Sequence, residues 1–189
     1  MDEKINRLNK LEDYLFDAHI GQKISEMSIL IEYKRAINIL IENLQETKTS
    51  VDTIDFPLLY MMRHSLELGF KFNIRFLAKY NDKELKDRLL YCHNLEILLN
   101  EFKELIMLIN PKFDNDLKSQ ISKYLDSTSK LVLELGPTEA SAFRYLEHKN
   151  VHIFGSKEKR NVREIKELYD EALIMLVNTF DVISDLELN

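Results

Sequence analysis

Cysteine, glycine and proline are scarce in this chain of 189 residues, which has one cysteine, four glycines and three prolines. The lone Cys92 excludes an intramolecular disulfide, and with it a small scaffold stapled by disulfides. So few turn-forming residues leave little punctuation for the many short strands of a sandwich or barrel. Leu, Ile, Lys, Glu and Asn are abundant instead, so the expected class is all-α. Long apolar runs are missing too. The strongest, FPLLYMM, falls far short of the roughly 20 residues that a membrane helix needs. The opening MDEKINRLNK is charged from its second residue with no apolar signal core behind it, so a cytoplasmic protein without a membrane span is expected. A formal charge of −6 excludes a wholly electrostatic nucleic-acid binder but leaves room for a local basic patch. No glycine-rich phosphate loop is present. The repeated Glu-x-x-His pairs of a di-iron bundle are missing as well, the nearest feature being one reversed His64-x-x-Glu67. Neither a cofactor nor a metal is therefore expected.

What is present is helical periodicity over a length suited to one domain with a sizeable core. Ile5, Leu8, Leu11, Leu15 and Phe16 recur at helical spacing, and after Gly21 the pattern resumes from Ile24 to Leu44. The polar run QETKTSVDTID breaks it, and Pro57 fits the first turn of a new helix over about Phe56 to Tyr80. A short helix covers part of NDKELKDRLL. The next begins at His93 or Asn94 and runs until Asn110-Pro111 stops it. Another spans about Phe113 to Leu135, before Gly136-Pro137, and the last about Glu158 to Leu186. Residues 1–50 read as an N-terminal helical extension to a helical domain over 51–189, in one compact domain overall.

The helix from Phe56 is the least ordinary in composition. At about 100° per residue, Arg63, His64, Glu67, Lys71 and Arg75 share roughly a third of its circumference and apolar side chains take most of the rest. Two readings stay open. The stripe is a solvated face supported by i,i+4 pairs worth some 0.2–0.5 kcal/mol each, or the helix is central and its stripe faces a groove or a partner.

Glu67-x-x-x-Lys71 inside an apolar helix, a short helical connection, and then His93-Asn94-Leu95-Glu96-Ile97-Leu98-Leu99 resemble the HEPN superfamily. In that superfamily a helix with an "E…K" pattern is followed by an "H-[DN]-L…L-L" helix start. Phe143-Arg144-Tyr145 and a final helix with Ala172 are similar to the later part of the same pattern, so the match covers roughly Asp55 to Val182. The resemblance implies a HEPN-like helical bundle of four or five core helices, assembled as a homodimer and serving bacterial defence or toxin–antitoxin systems. It also implies candidate chemistry, because many HEPN proteins are metal-independent ribonucleases with an R-x4-6-H motif. A histidine titrating near neutrality can take the proton of a ribose 2′-hydroxyl while an arginine holds the phosphate.

Arg88 and His93, in RLLYCHNLE, have that spacing. In the family the motif lies on or just before the last helix, where this chain has Arg160-Asn161 but places Ile165, Lys166 and Glu167 at the histidine positions. The usual site is thus broken, and His93 matches the helix-start histidine, whose structural job is to cap and pack a helix end.

A second candidate is the unpatterned stretch FRYLEHKNVHIFGSKEKRNVR. Arg144, Lys149, Lys157, Lys159, Arg160 and Arg163 are interleaved there with Tyr145, His148 and His152, a composition suited to phosphates and unpaired bases, or simply to a solvated loop. His148 and His152, at i,i+4, could present both imidazoles together, but a zinc site lacks its third ligand. The expected activity is that of a non-catalytic, dimerising HEPN-like subunit binding a nucleotide, RNA or a protein partner of the same system. The alternative is a metal-independent ribonuclease using Arg144 with His148 or His152, or Arg88 with His93.

Overall fold

Side chains that compete with the backbone set where the helices begin. The computed structural model describes residues 25–135, 147–148, 151–152 and 159–188, and six α-helices lie within them. Ser25 accepts the Ser28 N–H and opens α1, Glu26–Thr47, which Lys48 closes in the left-handed region at φ 54°. Helix α2, Asp55–Tyr80, follows a single 3-10 turn over Val51–Thr53 and carries Pro57 in its first turn, where no intrahelical N–H is needed. Four residues, Asp87–Leu90, make α3. Asn94 caps α4, Leu95–Ile109, and Asp114 caps α5, Asn115–Glu134. Asn161 accepts the N–H groups of Arg163 and Glu164 and donates to the Glu164 carboxylate at 2.6 Å, a reciprocal cap that starts α6, Val162–Leu188. That cap puts the start of the last helix downstream of the expected Glu158. Likewise α5 starts after Phe113, whose backbone is extended while its side chain is buried in the core.

The fold is all-α. The exception to helix among the described residues is a ladder of two-residue strands, Glu147–His148 paired antiparallel with Val151–His152. No helix among those residues is long and apolar enough to cross a membrane. The periodic stretch from Ile5 to Phe16 and the Gly136-Pro137 stop lie outside the described residues.

Helix α2 runs through the centre, with α1, α4 and α6 packed around it, and α5 lies against α6. Its apolar circumference explains the placement, because Leu58, Met62, Leu66, Phe70, Ile74 and Leu77 are buried on several sides at once. Close approach of three helices depends on Gly69. A Cβ there would stand 2.6 Å from Leu30 Cδ1 on α1 and 2.9 Å from Leu176 Cδ1 on α6. Polar bonds fix the register of α2 against α6. Ser65 Oγ and Tyr169 OH are 2.8 Å apart, and Asn73 Nδ2 donates to the Leu176 carbonyl at 2.8 Å. Leu30 and Ile37 bring α1 into the same core.

Candidate functional site

The polar stripe of α2 divides between two seams. His64 and Arg75 turn to α1, His64 lying edge-on to Tyr33 at 5.3 Å and stacked on Tyr60 at 5.8 Å, and Arg75 pairing with Glu26. Arg63, Glu67 and Lys71, one helical turn apart in succession, turn to the non-helical segment leading into α4. Arg63 and Glu67 are buried and Lys71 is half-buried, so this part of the stripe is no solvated face.

That segment is held at both its backbone and its side chains. Asn94 Oδ1 accepts the Glu96 and Ile97 N–H groups at 2.9 and 3.1 Å, so the cap of α4 is Asn94 rather than the histidine before it. Arg63 Nη2 reaches across from α2 to donate to the His93 carbonyl at 2.9 Å. The His93 ring then comes back to α2, with Nδ1 2.8 Å from Glu67 Oε1. Lys71 Nζ donates to the same oxygen at 2.8 Å, while Arg63 Nη1 lies 4.0 Å from Oε2.

Burial pushes the Glu67 carboxyl up, but hydrogen bonds from Lys71 and His93 and the charges behind them outweigh it, holding the group below its ordinary value. An anion is therefore fixed beneath the imidazole. The Glu67 side chain is only 3% exposed whereas that of His93 is 63% exposed. The arrangement is an imidazole anchored at one nitrogen by a sunken carboxylate and open to solvent over the rest of its ring. Such a group can exchange a proton with a ligand without moving. Arg88, exposed on α3, and Tyr91, 79% exposed, precede His93 by five and two residues. Cys92 is half-buried, its thiol 3.7 Å from the Asn94 carbonyl.

The basic stretch separates into pieces. Lys159 and Arg163 are exposed, while Arg160 is half-buried and donates to the Glu134 carbonyl, placing a cation on the C-terminal end of α5. His148 and His152 lie on opposite strands of the small ladder, in register with Val151 and Glu147. Their backbone is extended, and the two residues are not cross-strand partners of each other. Arg144, Tyr145, Lys149 and Lys157 lie outside the described residues. At the usual motif position on the last helix, Ile165 is buried in the core, Lys166 pairs with Asp170 and Glu167 is exposed.

A separate cleft of about 180 Å³ opens between α4, α5 and α6, walled by Ile106, Phe113, Ile121, Tyr124, Met175 and Val182 among others. Among the described residues lining it there is no carboxylate, imidazole, amine or guanidinium, and Tyr124 carries its one titratable group. Nor do the described residues include a group of three or more His, Cys, Asp or Glu able to hold a metal ion.

The sequence puts Arg63, Glu67 and Lys71 on one stripe of a helix and His93 at the start of the next, without an expectation that the stripe and the histidine meet. The Arg63 bond to a backbone carbonyl has no signature in the sequence. The contact of Glu67 with His93 did have one, since both residues belong to the pattern on which the HEPN resemblance rests. No protein-family model, curated protein or solved structure matches this chain.

Proposed function

We propose that this chain is a HEPN-like component of a bacterial defence or toxin–antitoxin system, and that it cleaves RNA without a metal through His93. The observation that carries the reading is the 2.8 Å contact between a 63% exposed imidazole and a 3% exposed carboxylate. It favours chemistry over capping, because Asn94 already caps α4 and a histidine serving only to pack would lose most of its exposure. The reaction class follows from the groups at hand. His93 takes the proton of a ribose 2′-hydroxyl, O2′ bonds to phosphorus, and the P–O5′ bond breaks. The departing 5′-oxygen takes a proton from water, leaving a 2′,3′-cyclic phosphate and a free 5′-hydroxyl. Arg88 supplies the cation for the phosphate.

Incubation of the protein with labelled single-stranded RNA in EDTA tests this. The expected products end in 2′,3′-cyclic phosphate, and His93→Ala lowers the rate roughly 10²–10⁴-fold. Absence of cleavage by the wild type, or equal cleavage by a folded His93→Ala variant, overturns the reading.

A second reading, the non-catalytic binding subunit, is favoured by buried Ile165, which occupies a position where the last-helix motif of the family calls for a histidine. Under it, RNA or partner binding survives His93→Ala unchanged.

A further inference from the structure

We infer that Glu67 is a positioning residue that holds His93 in a single tautomer, with the proton on Nδ1 and the lone pair of Nε2 presented to an RNA hydroxyl. This rests on the ribonuclease reading and adds to it which atom is the base and which buried group prepares it. The argument begins with what each partner can do. An ionised carboxylate accepts hydrogen bonds and donates none. Glu67 is kept ionised by Lys71, whose ammonium lies 2.8 Å from the oxygen that also faces His93, and by the guanidinium of Arg63 at 4.0 Å from the other. At 2.8 Å from that oxygen, His93 Nδ1 must therefore carry the hydrogen. A neutral imidazole has one N–H, so Nε2 is left as the acceptor. Because Nδ1 points to a carboxylate that is 3% exposed, the 63% exposure of the side chain is carried by its remaining atoms, and the ring edge turned away from Glu67 is the one that carries Nε2.

Position is fixed as well as protonation. The ring is held through its Nδ1 contact to Glu67, and the backbone on which it hangs is tied by Arg63 Nη2 to the His93 carbonyl and by the Asn94 cap to the first turn of α4. Glu67 in turn lies mid-helix in α2, the most enclosed helix of the bundle. A ligand approaching from solvent thus meets Nε2 in a set direction. When Nε2 accepts the hydroxyl proton, the resulting imidazolium sits against an anion already in place, and no protein group has to reorganise to stabilise it. The proton then passes to solvent from the exposed edge.

The test combines a measurement that needs no activity with one that does. Nitrogen-15 spectra of the His93 ring in the wild-type protein, at a pH where the imidazole is neutral, should show a protonated Nδ1 and a bare Nε2. In Glu67→Gln the amide can donate or accept, and both tautomers should coexist. Cleavage of single-stranded RNA by that variant should lose between about tenfold and the roughly 10⁴-fold that losing the orienting carboxylate costs a serine-protease triad, with the loss in kcat and KM nearly unchanged. Glu67→Asp, which keeps the charge but withdraws it by one methylene, should fall between wild type and Gln. It replaces the Gln variant if that chain fails to fold. A wild-type ring protonated at Nε2 overturns the inference, as does a folded Gln variant with undiminished kcat. An inactive wild type that nevertheless carries its proton on Nδ1 overturns the ribonuclease reading and leaves the Glu67–His93 pairing supported.

Discussion

Glu67 holds a charge in a place where a charge is expensive, and its neighbours decide the sign of the consequence. Unfolded, it titrates near the ordinary glutamate value of about 4.3. Folded, its carboxyl is held lower by Lys71 and His93 in spite of burial. Its contribution to stability is thus complete above the unfolded value and is lost as pH falls through the lower, folded one. Urea unfolding between pH 3 and pH 6 should show wild-type stability falling more steeply below about pH 4 than that of Glu67→Gln, since a glutamine has no proton to gain. At neutral pH the variant should be weaker by roughly 1–3 kcal/mol, because the Lys71 ammonium loses its charged acceptor. Equal acid slopes for the two proteins would refute this account. The residues of this network could be picked from the sequence but their depth could not. An i,i+4 run such as Arg63, Glu67 and Lys71 has the same spacing on a wet face and in a seam, and only the packing of α4 over it removes the water.

The elements were more legible than the residues because local chemistry fixes them. Ser25, Asn94, Asp114 and Asn161 each accept backbone N–H groups at a helix start, and four of the helices begin within three residues of where periodicity and punctuation place them. The miss at α6 has the same origin, since Asn161 with Glu164 makes a stronger start than the charged run before it. Capping yields a direct prediction at this scale. Asn94→Ala deletes two bonds to the first turn of α4, at 2.9 and 3.1 Å, and should lower stability by about 0.5–2 kcal/mol in thermal or urea unfolding. His93→Ala leaves that cap in place and instead removes one donor from the buried Glu67 carboxylate, so it should cost about 1–3 kcal/mol in the same unfolding measurement. At the crossing of α1, α2 and α6, Gly69→Ala forces two leucine methyl groups aside and should destabilise by about 1–3 kcal/mol despite alanine's better helix propensity.

For the whole molecule the resemblance implies a homodimer, and the apolar circumference of α2 would be a natural surface for it to cover. That surface is already covered, because α1, α4 and α6 of the same chain surround α2. The large apolar side chains left facing solvent include Met107 and Leu108 at the end of α4 and Ile174 and Phe180 along α6. A dimer of this protein is therefore proposed to join through α6 or the end of α4, with α2 inside each protomer. Phe180 is the most informative position, since its ring rests on Phe76 at 4.8 Å while remaining 44% exposed, so a partner can bury its outer face without repacking the core. Light scattering at micromolar concentration should give twice the chain mass of 22.4 kDa, and Phe180→Glu should return it to the monomer. If RNA lies across both protomers, exposed Lys159 and Arg163 near the start of α6 should contribute to its phosphate contacts. Changing both to Ala should then flatten the logarithmic salt dependence of single-stranded RNA affinity by about 1.4, two phosphates at roughly 0.7 each. A wild-type monomer with an unchanged salt slope in the double variant would sink both halves of this arrangement, leaving the His93 site to act, if it acts, on one chain alone.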